Sequence, residues 1–347
     1  MKDYKKLLTV AIPTYNGGNN LIRAIKSCKN IDLPSDQFEI LVVDNCSTDN
    51  SIDKVLDLMN EFENIRLHRN EKNIGRIGNW NRCLELAEGK YLLFLFANDN
   101  IYEWFSFRKI IEIALSGGYP SVMFNTLYHD GVNNRRFYNY KPGKWMLKDF
   151  IKKYFINNMA SLGILQSHIF DLSLIKEKNI KFDEKIERTT DRIFIFDVIN
   201  CKGFFYITDE IGTVWNLSKN RFHYSVHIAV ENIKPEELYK YFYTNWIQEM
   251  IADLYILSNS GYGEEEAYSI FFTYVYKFYF IKYLRTLLSQ KGKLSSIDSI
   301  TLDIFIKYLE TYGRIKGFPL KKIKFNSYLK ILPYIMIRIL NKLIQKK

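Results

Sequence analysis

Four side chains at the ends of two apolar runs could together grip a nucleoside. Leu7–Asn16 reads LLTVAIPTYN and breaks into a turn at Pro13, Thr14, Tyr15 and Asn16. A second run, Ile40–Ser51, reads ILVVDNCSTDNS and breaks at Asp44 and Asn45. Tyr15 offers a ring face for a base, Thr14 and Asn16 offer hydroxyl and amide groups, and the Asp44 carboxylate accepts from base N–H or ribose hydroxyl. Other nucleotide and acyl chemistries lack their signatures. No G-x-x-x-x-G-K-[ST] loop is present, which argues against a P-loop NTPase. No G-x-S-x-G elbow is present either. The four cysteines, Cys28, Cys46, Cys83 and Cys201, form no C-x-x-C pair and no zinc pattern.

The elements that must position these groups alternate. Leu7–Ile12 reads as a strand, and Asn19–Lys29 as a helix with Leu21, Ile22, Ala24, Ile25 and Cys28 on one face. Phe38–Val43 is a strand, and Ser51–Phe62 a helix with Ser47, Thr48 and Asp49 as its capping signal. Ile65–His68, Asn79–Glu88 and Tyr91–Phe96 continue as strand, helix and buried strand. This order implies α/β architecture with a parallel sheet and right-handed crossovers. Both turns then lie at the carboxyl ends of neighbouring strands, where open α/β sheets bind ligands. Further on, Glu103–Ser116 and Trp145–Ile156 read as helices, Ser121–Asn125 and Gly163–Phe170 as strands, and Asp191–Asn200 as a helix. Beyond about residue 230 the segments are long, aromatic and helix-like. They divide the chain into 1–229 and a mainly α-helical 230–347.

The composition is that of a globular protein, with 47% hydrophobic residues, 7 Pro and 17 Gly. The 25 Tyr and 25 Phe serve core packing in the simpler reading and sugar stacking in the other. Unpaired thiols favour a reducing compartment, the cytoplasm. Leu7–Ile12 is too short for a signal-peptide core, and no apolar run reaches the ~18 residues of a spanning helix. The net charge of +11 is concentrated: Thr311–Lys347 holds ten Lys and Arg and no acid. Ile331–Ile344 (ILPYIMIRILNKLI) either lies in an anionic membrane surface or packs on the helical region. Nucleic acid is an unsuitable partner, because the charge crowds one end and no nucleic-acid motif is visible.

The two opening stretches together resemble the family 2 glycosyltransferases, and the resemblance runs over roughly residues 7–225. It implies a GT-A fold, a mostly parallel central sheet flanked by helices. It also implies a nucleotide-sugar donor held by Pro13, Thr14, Tyr15, Asn16, Asp44 and Asn45. After Tyr91–Phe96 comes Ala97-Asn98-Asp99-Asn100, where the family carries D-x-D. Asp99 matches the last Asp, while Ala97 replaces the first. Asp99 is thereby the implied ligand of Mn²⁺ or Mg²⁺, and Asn98 a ribose contact. Some GT-A enzymes take a further metal ligand from a C-terminal His; His223 or His227 would stand there, but the usual R-x-H context is absent and ordinary loop histidines are the simpler reading. Asn73–Asn81 follows the family's N-x-G-x-x-x-N-x-N stretch, which brings Gly75, Arg76 and Asn81 to the nucleotide. Arg76 is then a diphosphate contact or a solvated loop residue. The family's base falls in Glu187–Asp191 (ERTTD). Asp191 is the first candidate and Glu187 the second, and a simple helix cap is the alternative for Asp191. The implied reaction is inverting transfer of a hexosyl or N-acetylhexosaminyl group, with a UDP-sugar as first choice. The acceptor is a hydroxyl of a glycan or lipid-linked acceptor in polysaccharide biosynthesis, at the inner face of the cell membrane. Ala97 and Asn98 leave open an inactive nucleotide-sugar-binding assembly partner.

Removing residues 320–347 should release the protein from anionic vesicles while sparing nucleotide binding, and attachment of the intact chain should weaken as salt rises. Co-sedimentation with phosphatidylserine liposomes checks this. Equal sedimentation of both forms would exclude the tail as the anchor, and unfolding of the truncated form would support packing.

Overall fold

The structure is a computed structural model that describes residues 6–129, 134–136, 138–156, 162–186, 189–216, 248–263 and 266–267. Glu187, His223, the expected boundary near residue 230 and the basic tail lie outside the described residues.

The first half follows the alternation. It runs β1 (Lys6–Thr14), α1 (Gly18–Ser27), β2 (Phe38–Asp44), α2 (Ser51–Met59), β3 (Ile65–Arg69), α3 (Gly75–Leu86) and β4 (Gly89–Phe94). β1 pairs in parallel with β2 on one side and β4 on the other, and β2 pairs in parallel with β3. The strand order 3-2-1-4 reverses between β1 and β4. To reach β4 the chain crosses back over β2 and β1 as α3, on the opposite face from α1 and α2 if the crossovers are right-handed. Such a reversal leaves a crevice at the carboxyl ends of the two strands. Pro13 fits this place. β4 pairs with β1 only as far as Ala11, so on that side Pro13 has no ladder donor to lose.

The second half adds β5 (Asp99–Ile101), α4 (Phe107–Gly117), β6 (Ser121–His129), β7 (Asn134–Arg136), β8 (Gly143–Met146), α5 (Leu147–Phe150), β9 (His168–Asp171), α6 (Leu172–Glu177), α7 (Thr190–Asn200), β10 (Phe204–Asn216) and α8 (Gln248–Asn259). β9 inserts antiparallel between β4 and β6, and β10 pairs in parallel with β6. β5 and β8 both lie antiparallel to β10. The expected parallel sheet is therefore present and is extended by antiparallel strands into one mixed sheet of ten.

Several expectations need correcting. Trp145 is not helical: it pairs with Phe205 in β8, and the helix starts at Leu147. Its indole Nε1 donates to the Lys141 carbonyl at 2.7 Å, which holds the ring beside Phe150 and Tyr154. In 163–170 only His168–Phe170 is strand, and Leu165–Ser167 forms a 3₁₀ turn. α3 starts four residues before the expected Asn79, because Asn79 and Asn81 are buried and blur the polar face.

Among the described residues, many of the phenylalanines go into the core. Phe94, Phe107, Phe124, Phe150, Phe170, Phe194 and Phe205 are fully buried, each worth roughly 1.5–3 kcal/mol. Phe182 stacks on Phe194 at 4.0 Å and meets Trp80 edge-on at 5.3 Å, so the core runs up to the crevice.

His168 ties the 3₁₀ turn to the sheet. Its Nε2–H donates to the Leu162 carbonyl at 2.7 Å, so Nδ1 accepts from the Ser121 hydroxyl at 2.8 Å. Gly163 has φ +101, and a Cβ there would lie 2.4 Å from His168 Nε2, so only glycine passes over the ring. Burial pushes the His168 pKa down to about 3, against about 6.5 in the unfolded chain. This contribution is fully present above about pH 6.5 and is lost as pH falls towards the folded value. Between pH 6.5 and 5 the loss should be about 2 kcal/mol, and His168→Gln should remove most of that slope. Urea unfolding at several pH values checks this, and identical slopes would contradict it.

Candidate active site

The two strand ends are stitched together before they meet any ligand. Thr14 and Asp44 are register partners, and Asn45 N–H donates to the Thr14 carbonyl at 2.8 Å. Asn16 takes a left-handed φ of 52°, and its Oδ1 accepts from Thr48 N–H at 2.8 Å and Asp49 N–H at 3.3 Å. Ser47 Oγ donates to Asp44 Oδ1 and accepts from Asn16 N–H at 2.8 Å. Ser51 Oγ accepts from Gly18 N–H at 2.7 Å, which sets the start of α1. At Gly17 a Cβ would lie 2.6 Å from Thr14 Oγ1 and 2.9 Å from Leu21 Cβ, so the turn closes only with glycine.

Behind these turns lies a layer of buried amides. Asn45 Oδ1 accepts from Ile74 N–H at 2.9 Å and from Asn70 Nδ2 at 3.1 Å. Asn45 Nδ2 donates to Asn73 Oδ1 at 2.8 Å. Asn79 Nδ2 donates to the Val43 carbonyl at 3.0 Å, and its Oδ1 accepts from Asn70 at 2.8 Å. Asn81 clamps a more distant segment, accepting from Phe182 N–H at 2.9 Å and donating to the Phe182 carbonyl at 3.1 Å. The asparagine-rich stretch thus fixes α3 to β2 and to the chain after α6.

In front of the turns opens a cleft of about 520 Å³. Its walls are the β1 turn, the first two turns of α3 with Arg76 and Trp80, and the loop Phe96–Asp99. Ile164, Leu165 and Gln166, then Asp191 and Trp215, complete it. Tyr15 is 50% exposed at the mouth, free to offer its ring face. Arg76 lies over the Trp80 ring at 5.0 Å. Asp99 is buried at the floor, where Trp215 is its register partner, and Asn216 Nδ2 donates to the Asn98 carbonyl at 3.0 Å. Asn20 Nδ2 donates to Asn98 Oδ1 at 3.2 Å. The Gln166 carbonyl accepts from Thr213 Oγ1 at 3.0 Å, which holds the 3₁₀ turn in the wall.

Asp191 is the second residue of α7, whose cap position is Thr189, so Asp191 is not the helix cap. Burial pushes its carboxyl above the usual carboxylate range; the Arg192 N–H, at 2.9 Å from Oδ1, and the charges of Arg192 and Arg76 pull the other way. A half-buried carboxylate with a raised pKa, lining a cleft, suits proton acceptance. For a divalent cation, no group of three His, Cys, Asp or Glu gathers among the described residues. Mg²⁺ and Mn²⁺ need only one or two carboxylates when phosphates and waters complete the shell, so Asp99 fits that role.

Of the residues singled out in the sequence, Pro13, Thr14, Tyr15, Asn16, Arg76, Asn98, Asp99 and Asp191 share this cleft. Asp44, Asn45, Gly75 and Asn81 are not among its lining residues. Asp44 is fully buried and faces Ser47, with Arg69 Nε 3.4 Å away. Asn45 and Asn81 belong to the amide layer, and Gly75, with φ 79°, starts α3. These residues shape the site from behind. Ser47 was expected as a cap for α2 and bridges the turns instead. Asp49 meets α2, accepting from Ser51 N–H at 3.0 Å. Gly17, Asn20, Trp80, Phe96, Gln166 and Trp215 escaped the sequence reading. Trp80 was findable, since it sits four residues after Arg76 on the same helical face.

Known proteins share this fold. Residues 9–178 match the family model Glycosyl transferase family 2. The poly(ribitol-phosphate) β-N-acetylglucosaminyltransferase TarS of Staphylococcus aureus is 24% identical over 71% of this chain and 41% of its own length. The chain thus spans about two fifths of that relative. A poly(ribitol-phosphate) β-glucosyltransferase of Bacillus spizizenii is 23% identical over 67% of this chain and 35% of its own length. An uncharacterised glycosyltransferase of Methanocaldococcus jannaschii is 27% identical over 70% of this chain and 80% of its own. Among solved structures, residues 1–349 of S. aureus TarS with UDP superpose with a TM-score of 0.61 at 19% identity, over 89% of this chain and 81% of that one. The same fragment has been solved with UDP-GlcNAc, and it superposes with a TM-score of 0.60 at 18% identity over 89% and 81% of the two chains. That likeness shows the fold, the GT-A arrangement that the resemblance implied.

The raised Asp191 pKa has a stability consequence. The folded state holds the Asp191 proton more tightly than the unfolded chain, so ionisation at neutral pH opposes folding. Asp191→Asn should therefore be more stable than the wild type at pH 7.5, and the gain should shrink as pH falls from the raised folded value to the ordinary carboxylate range, below which it is gone. Parallel urea titrations check this. A variant less stable at pH 7.5 would contradict it.

Proposed function

Because residues 9–178 belong to glycosyltransferase family 2, we propose that this chain transfers a sugar from a nucleoside-diphosphate donor to an acceptor hydroxyl with inversion. The observation that carries the proposal is the placement of Asp191 in one cleft with the Tyr15 turn, Arg76 and Asp99.

The β1 turn receives the nucleoside, with Tyr15 against the base. Arg76, beside the N-terminus of α3, meets the diphosphate, where helix N–H groups and a guanidinium both favour negative charge. Asp99 would hold Mn²⁺ or Mg²⁺, which when bound neutralises charge on the leaving diphosphate. Asp191 accepts the proton of the acceptor hydroxyl as its oxygen attacks the anomeric carbon. A C–O bond to the acceptor forms on one face, the bond to the phosphate oxygen breaks on the other, and the diphosphate leaves with the electron pair. The burial that raises its pKa strengthens the Asp191 carboxylate as a base. His223 and Glu187 lie outside the described residues and have no part in this derivation.

UDP-GlcNAc or UDP-glucose is the proposed donor, supported by the sugars in the names of the staphylococcal and bacillar relatives. A hydroxyl on a polyol-phosphate or other surface glycan is the proposed acceptor. Among the described residues no helix is long and apolar enough to cross a membrane. Attachment to the inner membrane face is proposed on the basic segment Thr311–Lys347 alone.

Asp191→Asn should leave UDP affinity within about twofold and lower transfer from UDP-GlcNAc or UDP-glucose to poly(ribitol phosphate) by about 10²–10⁴-fold. Asp99→Asn should abolish the enhancement of UDP binding by Mn²⁺. Calorimetry and sugar incorporation measure both. Retained transfer in Asp191→Asn would remove that residue from the role of base. UDP binding by the wild type without transfer to any acceptor would favour the inactive assembly partner.

A further inference from the structure

Helix α8 lies beyond the segment matched by the family, yet it is fastened beside Asp191. Asp253 of α8 is fully buried, and its carboxylate pairs with the guanidinium of Arg192, the residue after Asp191. Tyr255 Oη donates to Asp197 Oδ1 at 2.8 Å, and its ring meets Phe196 edge-on at 5.9 Å. Ala252, Leu254, Ile256 and Leu257 are buried on the same helix.

A buried ion pair is a poor way to gain stability, because desolvation of both charges offsets their attraction and apolar residues of equal volume often do better. Its position gives it a different consequence. Arg192 is adjacent to the carboxylate that must act as base, and a guanidinium close to a carboxylate favours the charged form and weakens it as a base. Asp253 draws this guanidinium towards α8, where it also lies 5.9 Å from the Phe155 ring. Among the described residues, Arg76 from α3 also bears on Asp191, and Asp99 lines the same cleft.

We propose that Asp253 is a positioning residue for the transfer: by pairing with Arg192 it limits the pull of that guanidinium on Asp191 and preserves Asp191 as a base. The inference rests on the reading of Asp191 as base. It also gives the helix that follows the matched domain a function at the reacting centre.

The test uses full-length protein labelled with ¹³Cγ-aspartate, the Asp191 resonance being identified by its loss in Asp191→Asn. In Asp253→Asn the Asp191 titration midpoint should fall by about 1–3 pH units. The acidic limb of kcat should shift down with it, with a lower plateau and UDP affinity within about twofold. A folded Asp253→Asn with the wild-type midpoint and pH profile would overturn the proposal, even if kcat fell, because a purely structural role lowers the rate without moving the limb. Should that variant fail to fold, the charge-free pair Arg192→Met with Asp253→Leu decides. Its midpoint should lie at or above the wild-type value, and a midpoint below it would overturn the proposal. Asp191→Asn serves as the control for the underlying reading. Retained transfer there, with the midpoint still falling in Asp253→Asn, would remove Asp191 as base while leaving the electrostatic link intact.

Discussion

The Ser47 hydroxyl stands between the Asp44 carboxylate and the Asn16 N–H, and the cleft takes its shape from that bridge. Two parallel strands end side by side, and each end leaves backbone groups that the sheet no longer satisfies. Asp44 accepts the N–H and the hydroxyl of Ser47, and Asn16 Oδ1 accepts the N–H groups of Thr48 and Asp49. The turns are thereby closed on each other and need no ligand to hold them. Tyr15, Gly17 and Asn20 inherit their positions from this closure, and through Asn20 so does the Asn98 side chain.

Around this bridge the structure is layered by polarity. Asn45, Asn70 and Asn79 link the strand ends to α3 through buried amide bonds, which are directional and leave little freedom to shift. Beyond them the aromatic core carries the bulk of the burial and ends at Trp80 and Phe96, which line the cleft. The result is a cleft with a rigid side at the β1 turn and a further wall built from the 164–166 turn and α7. His168 and Thr213 hold that wall to the sheet from two directions. Burial of the Asp191 carboxyl disfavours its ionised form and so costs stability when it is charged.

Strong periodicity made the first half legible. The β1, β2 and β4 runs have continuous apolar residues, and α1 and α2 have clear apolar stripes, so their places and the crevice between them followed from the residues. The second half resisted for physical reasons. β10 carries Thr208, Asp209 and Glu210 in mid-strand, where its pairing with β6 shifts register, so no alternation marks it. β5 is three residues long and takes its form from β10. In the site, Tyr15, Arg76, Asp99 and Asp191, singled out by residue type, fall in one cleft. Polar residues such as Asp44, Asn45 and Asn81 were read as ligand contacts, because a sequence does not distinguish an amide facing a ligand from one facing a buried carbonyl. Nor did it reveal that Asp253, sixty-two residues from Asp191, would stand behind it.

The most direct test of this picture is calorimetric titration of UDP into the wild type and into Ser47→Ala. Ser47 does not line the cleft, so the substitution removes the bridge and no wall residue. Loss of a hydrogen bond to a charged group, about 1.5–3 kcal/mol, should weaken UDP binding by roughly tenfold or more while the protein remains folded at the temperature of the titration. Wild-type affinity in a folded Ser47→Ala protein would contradict the dependence of the site on the bridge between its two turns.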